Sequence, residues 1–133
     1  MTITPDDLHD HPLLTTADMV GRIEDLLAPG INPGQLWVLF LDARRRQLPA
    51  VMPIERVPVL PDGTVLGNLA RALRSAGPGF AWVIFVLERL GSDGVTGVDR
   101  RWAAALRTAT AKENLSVAGI FVMTPDTVKA IPG

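Results

Sequence analysis

The sequence predicts an α/β protein in the form of a three-layer αβα sandwich with a mixed sheet. Helix-like periodicity alternates with strand-like apolar runs along the chain, and Pro- and Gly-rich turns separate them. The strongest run, residues 80–87, is apolar on both faces, as expected for a central strand covered by helices. The expected order is helix, strand, strand, helix, strand, helix, strand, strand.

The first helix is predicted to begin at Thr15 or Thr16, either of which can act as its N-cap. Apolar residues then recur at helical spacing as far as Leu27. Pro29 and Gly30 follow directly and end the helix.

Two strands are predicted next. Residues 36–42 form an unbroken apolar run, which indicates an internal strand. Residues 48–57 resume an extended pattern, but Pro49 and Pro53 cannot donate ladder hydrogen bonds. An edge strand is therefore expected there.

The second half of the chain repeats the alternation. Thr64 is the expected N-cap of a second helix, and the central strand at residues 80–87 follows it. A glycine-containing loop leads to a third helix over about residues 98–114, and strands are predicted at 115–123 and 127–131.

A single domain accounts for this pattern. The 133 residues, of which 47% are apolar and 20% charged, are typical of one globular core. Residues 1–14 are interpreted as a flexible tail that contributes little to the core, and residues 15–133 as the domain. Within it, the N-terminal helix occupies 15–28 and the remaining core 35–131.

Composition excludes several classes of function. With no Cys, the chain has no thiolate zinc site, iron–sulfur cluster or disulfide framework. The 13 Lys and Arg residues balance 14 Asp and Glu residues, which does not favour nucleic acid or anionic lipid as a partner. The acidic N-terminus and the lack of an apolar run near the ~20 residues of a membrane helix predict a cytoplasmic protein with no membrane partner.

The segments FLDARRRQLPAV, LGNLARALRSAG, WVIFVLE and AGIFVMTPDTVKAI occur in this order, with a loop ending in Thr-x-x-Asp before the last of them. This arrangement resembles the JAMM (JAB/MPN) metallopeptidase family, and within it the RadC branch. The resemblance covers residues 36–131 and implies the JAB/MPN, cytidine-deaminase-like architecture.

The resemblance also locates the family's metal site. Active members hold Zn²⁺ with a His-x-His pair after the central strand and with the Asp of a Ser-x-x-Asp motif, while an upstream Glu deprotonates the bound water. In an ungapped match, the two His positions fall on Val86 and Glu88, the Ser on Thr96 and the Asp on Asp99. Glu55 is the nearest upstream acid.

Two of the three metal ligands are thus replaced. Zinc sites need about three or four protein donors, and at most Glu88 and Asp99 could converge here. The only histidines, His9 and His11, lie in the predicted tail and are expected to be solvated. We therefore expect a degenerate site with no metal and no cofactor, in which Ser92 belongs to the intervening loop.

Each retained residue also has a structural interpretation. Thr96 and Asp99 have the spacing of a capping box at a helix start. Glu88 is expected to be a solvated acid at a strand end. Ser92 is expected to belong to a polar turn.

The arginines permit a different function. Arg44, Arg45 and Arg46 lie at a predicted hairpin tip, and Arg100 and Arg101 lie on the third helix. If they shared a face, they could contact an anion or a nucleic acid. The balanced charge instead favours solvated faces.

The sequence therefore favours a catalytically inactive JAB/RadC-like domain that acts as a protein-interaction or scaffold module. Its partner is another protein or a second copy of the chain, and dimerisation is open. One alternative is an atypical metal-dependent hydrolase that uses Glu88, Ser92 and Asp99. The other is a nucleic-acid or nucleotide-binding module that uses the arginines.

Overall fold

The computed structural model describes residues 11–76 and 79–132. They form a mixed α/β fold in the predicted order of elements. The helices are α1 (Thr16–Leu27), α2 (Gly63–Ser75) and α3 (Gly97–Lys112), and the strands are β1 (Gln35–Leu41), β2 (Gln47–Ile54), β3 (Trp82–Glu88), β4 (Val117–Met123) and β5 (Val128–Ala130).

The five strands form one mixed sheet in the order β2-β1-β3-β4-β5. Strand β1 runs antiparallel to both β2 and β3, β3 runs parallel to β4, and β4 runs antiparallel to β5. The predictions of a central β3, an internal β1 and an edge β2 are confirmed. Because β3 and β4 are parallel, the chain must cross over between them, and α3 makes this crossover.

Helices pack on both faces of the sheet, as in an α/β sandwich. Val83, Phe85 and Leu87 of β3 belong to the core shared with α2 and α3. Ile84 and Val86 alternate with them and belong to a second core shared with α1. This alternation explains why β3 is apolar at consecutive positions.

The helix starts follow capping chemistry. Thr15 caps α1 in a capping box with Asp18, as the sequence suggests. The prediction of Thr64 as the cap of α2 is wrong, because Asp62 is the N-cap. Its Oδ1 accepts hydrogen bonds from the backbone N–H groups of Thr64 at 2.9 Å and Val65 at 3.1 Å. One carboxylate thus accepts from two backbone N–H groups that have no partner within the helix. Thr64 cannot take this role, because it lies inside the helix and its own N–H is one of the two donors.

The structure describes only the end of the predicted tail, so His9 lies outside the described residues. His11 is exposed, whereas Leu13 is a core residue with 3% of its surface exposed. The backbone N–H of Leu13 donates to the carbonyl oxygen of Arg45 at 2.8 Å. The expectation that the tail adds little to the core is therefore wrong at Leu13. None of the helices described is long and apolar enough to cross a membrane.

Candidate functional site

The candidate site lies where β3 ends and the chain turns towards α3. A cavity of about 300 Å³ opens there. Its walls are mainly apolar, and the residues aligned with the family's metal ligands, Glu88 and Asp99, contribute to them together with Arg89. Trp102 on α3 lines the same cavity, and its indole N–H donates to the carbonyl oxygen of Val59 at 2.8 Å.

Asp99 forms a two-point ion pair with Arg89. The Nε of Arg89 donates to Oδ1 of Asp99 at 2.9 Å, and an Nη donates to Oδ2 at 2.8 Å. The Asp99 side chain is fully buried, whereas 19% of the Arg89 side chain is exposed. Both carboxylate oxygens of the residue aligned with the metal-ligand Asp are therefore engaged by a guanidinium group.

The remaining donors of Arg89 are also used. One Nη donates to the carbonyl oxygens of Leu90 at 3.2 Å and Ser92 at 2.8 Å, and the other donates to that of Gly94 at 2.9 Å. A guanidinium has five N–H donors, so all of them have protein acceptors, three in the loop after β3 and two on Asp99 in the first turn of α3.

The electrostatics of the pair favour its charged form. Burial by itself would raise the pKa of Asp99, but hydrogen bonds from the Arg89 side chain and the Thr96 backbone outweigh it, and the pKa of Asp99 is lowered. The hydrogen bond with Asp99 raises the pKa of Arg89 further above its ordinary value.

Asp99 also caps α3. The backbone N–H of Thr96 donates to Oδ2 of Asp99 at 2.9 Å, and the backbone N–H of Asp99 donates to Oγ1 of Thr96 at 3.2 Å. The predicted capping box is confirmed. A single carboxylate thus joins the end of β3 to the start of α3.

Glu88 is buried, with 1% of its surface exposed, so the expectation of a solvated acid is wrong. Its carboxylate accepts hydrogen bonds from the backbone N–H of Asn32 at 2.8 Å and the indole N–H of Trp37 at 2.9 Å. The Asn32 side-chain amide adds further contacts at 3.1 and 3.2 Å. These donors come from β1 and the segment before it, which the local sequence around Glu88 does not reveal.

Val86, aligned with the first metal-ligand His, is fully buried in the core shared with α1. Ser92 is exposed, and its carbonyl oxygen accepts a hydrogen bond from Arg89. Glu55 is exposed and does not line the cavity at the end of β3.

The residues present do not fit the metal that the resemblance implies. In the described part of the chain, no cluster of three or more His, Cys, Asp or Glu side chains is placed to hold an ion. Glu88 and Asp99 each have their own protein donors instead. Both acids are thus held in hydrogen-bond networks of the protein itself.

The arginines singled out by the sequence lie at opposite ends of the sheet. Arg44, Arg45 and Arg46 lie in the turn after β1, whose last residue pairs with the first residue of β3. Arg100 and Arg101 lie in the first turns of α3, beyond the last residue of β3. A strand of this length separates the two groups by about 20 Å, so they do not form one basic groove.

Arg45 and Arg46 are also partly buried, which the interpretation as solvated faces did not anticipate. Arg45 donates through Nε to the carbonyl oxygen of Leu13 at 2.8 Å and lies 4.8 Å from the ring centroid of Trp82. Arg44, Arg100 and Arg101 are exposed, as expected of solvated residues.

Sequence reasoning missed two features of the site. Arg89 was not singled out, although its signal is simple: an arginine directly after the central strand and ten residues before a capping Asp. The other feature is a set of large exposed apolar residues. Val59 and Leu90 line the cavity of about 300 Å³, Val65 lines the adjoining cavity of about 460 Å³, and Leu60 follows Val59 in the chain. We define the apolar rim as Val59, Leu60, Val65 and Leu90, which are 80%, 51%, 51% and 50% exposed.

Comparison of the sequence with models of known protein families gives no match, and comparison with curated proteins gives none either. The resemblance to the JAMM family therefore stands on the order of elements and on the Thr-x-x-Asp motif.

Proposed function

We propose that this protein is a non-catalytic JAB/RadC-like domain that acts as a protein-interaction or scaffold module. The observation that carries the proposal is the ion pair of Asp99 with Arg89, because it engages both oxygens of the residue aligned with the metal-ligand Asp. In an active member of the family that the chain resembles, a metal ion would balance the negative charge of this Asp. In this protein the Arg89 side chain balances the charge of Asp99.

The order of elements around the site supports the JAB/MPN architecture as part of this proposal. The central strand β3 is followed by a loop, a capping Thr-x-x-Asp motif and the crossover helix α3. The resemblance rests on this arrangement, and the capping box gives Thr96 and Asp99 a structural role that needs no metal.

Zinc titration tests the non-catalytic part of the proposal. We expect that calorimetric titration of the wild-type protein with Zn²⁺ detects no site whose affinity depends on Asp99, and that the Asp99→Asn variant gives the same isotherm. Binding of one equivalent of Zn²⁺ that is lost in Asp99→Asn, together with peptide hydrolysis that a chelator abolishes, would overturn it.

The apolar rim supports the interaction part. Large exposed apolar side chains close to one another are typical of surfaces that meet another protein. In the family that the chain resembles, domains without metal ligands are commonly paired with a similar domain, so a second copy of this chain is the partner to test first.

Sedimentation velocity over a concentration series provides that test. We expect the mass to rise with concentration, the rise to be lost in Val59→Glu, and the rise to persist in Leu14→Glu. Leu14 is a matched control because it is 62% exposed but lies before α1, outside the rim. A mass that stays monomeric at the highest concentration, or that falls equally in both variants, argues against pairing through the rim.

The two alternatives receive less support. A hydrolase built on Glu88, Ser92 and Asp99 would need carboxylates free to bind an ion, and both already accept several hydrogen bonds. A nucleic-acid module would need arginines on one face, and Arg44 and Arg100 lie at opposite ends of the sheet.

A further inference from the structure

The loop after β3 surrounds the Arg89 guanidinium with oxygen atoms. The carbonyl oxygens of Leu90, Ser92 and Gly94 lie 2.8 to 3.2 Å from its Nη atoms. The Asp99 carboxylate accepts hydrogen bonds from its Nε and from one Nη. Gly91, which has a φ of +108°, lies between two of these carbonyl groups. This left-handed conformation, which glycine adopts readily, lets the loop turn around the side chain.

This arrangement has a physical cost when the cation is absent. Carbonyl dipoles that converge on one point repel one another, and a buried carboxylate without a partner is strongly unfavourable. The loop belongs to no helix or strand that could hold the carbonyl groups in place. A cation at their centre converts this repulsion into several charge-assisted hydrogen bonds.

We propose that residues 90–94 and Asp99 form a guanidinium-binding site that this chain's own Arg89 fills, and that occupancy of the site fixes the conformation of the loop. This inference goes beyond the proposed function. It shares the Asp99–Arg89 ion pair with that proposal, but it is tested by guanidinium binding and not by zinc binding or oligomeric state.

The chemistry of the acceptors selects a guanidinium over other cations. Five acceptor contacts match the five donors of a planar guanidinium, whereas an ammonium group has three donors and cannot span both carboxylate oxygens in the same way. Zinc prefers nitrogen and sulfur ligands, which this loop does not offer. Calcium accepts oxygen ligands and is therefore the competitor to include.

Chemical rescue tests the proposal. In Arg89→Ala, guanidinium chloride at low millimolar concentration should raise the melting temperature in a saturable way, by about 5 °C at about ten times its dissociation constant. Equal concentrations of NaCl, CaCl₂ and urea should not do so. The wild-type protein and Arg101→Ala, which loses an exposed arginine of the adjacent helix, should show no rise with guanidinium.

The outcomes are distinct from those of the proposed function, because no zinc binding or self-association is measured. No rise with guanidinium in a folded Arg89→Ala protein, or an equal rise with NaCl, would overturn the assignment. A rise with CaCl₂ alone would replace the guanidinium site by an oxygen-lined calcium site.

The wild-type protein offers a second measurement if Arg89→Ala does not fold. In ¹⁵N-edited NMR spectra at neutral pH, the guanidinium N–H groups of Arg89 should exchange with water, and rotate about the Cζ–Nη bonds, at least tenfold more slowly than those of Arg101. Equal rates for the two arginines would refute the site.

Discussion

Removal of the Arg89 side chain should destabilise the protein more than any other arginine substitution at its surface. In Arg89→Ala, the fully buried Asp99 carboxylate loses both hydrogen bonds from the Arg89 side chain and keeps its hydrogen bonds with Thr96. Breaking one partner of a fully buried ion pair costs about 3–5 kcal/mol. Arg89 is partly exposed, so water can reach the carboxylate and the expected loss is about 2–3 kcal/mol.

The sign of the pH dependence follows from the lowered pKa of Asp99. A group whose folded-state pKa is depressed stabilises the protein above its unfolded pKa, which is about 3.9 for Asp. This contribution is lost as pH falls through the lower pKa of the folded state. The difference in the free energy of unfolding between wild type and Arg89→Ala should therefore have its largest value at pH 7 and should decrease below about pH 4.

Urea unfolding followed by far-UV circular dichroism at a series of pH values measures this difference. Arg101→Ala is the control, because replacement of an exposed residue should change the free energy of unfolding by less than about 0.5 kcal/mol. A loss below about 0.5 kcal/mol in Arg89→Ala, or a loss independent of pH, would refute the account of this ion pair.

Three further predictions use the same unfolding assay. Glu88→Ala leaves the backbone N–H of Asn32 and the indole N–H of Trp37 without their acceptor and should cost about 1–3 kcal/mol, and a cost below about 0.5 kcal/mol would contradict the role of this network. Gly30→Ala places a Cβ 2.8 Å from the nearest side-chain carbon and should cost about 1–3 kcal/mol, whereas Gly21→Ala in α1 meets nothing within 4 Å and should stabilise by about 1 kcal/mol. Equal changes in the free energy of unfolding at Gly30 and Gly21 would contradict the expectation that only Gly30 lacks room for a Cβ. Asp62→Ala should cost about 1 kcal/mol and Thr64→Ala much less, since Asp62 is the observed cap; the reverse ranking would restore Thr64 as the cap.

Periodicity and apolar content predicted the fold because they are local properties. Residues 80–87 have no polar position to face solvent, and burial of both faces of β3 between helices is the physical consequence. Pro49 and Pro53 predicted the edge position of β2 for an equally local reason, since neither can donate to a ladder. The cap of α2 was misplaced because Asp62 and Thr64 are both good caps, and only the backbone distinguishes them.

The site was less predictable because its partners are distant in sequence. Asp99 and Thr96 were correctly assigned to a capping box, whose spacing is fixed by the helix. The burial of Glu88 depends on Trp37 and Asn32, more than fifty residues away, so no local pattern could reveal it. Arg89 was overlooked because an arginine at a strand end is ordinarily solvated.

The edges of the sheet restrict how a second copy could bind. Alternate residues of a strand direct their backbone N atoms to the same side, so Pro49, Val51 and Pro53 of β2 share one side and only Val51 has an N–H to donate there. At the other edge, β5 is only three residues long. Both edges are poor templates for adding a strand.

Association of two copies would therefore use side-chain surfaces, and the apolar rim is the surface that we propose for it. One of its members, Leu90, is also a residue of the loop that the Arg89 guanidinium organises. If the loop loses its cation, Leu90 loses its fixed position in the rim. The Arg89→Ala substitution should then weaken self-association as well as stability, and guanidinium should restore both, because one ordered loop underlies the two properties.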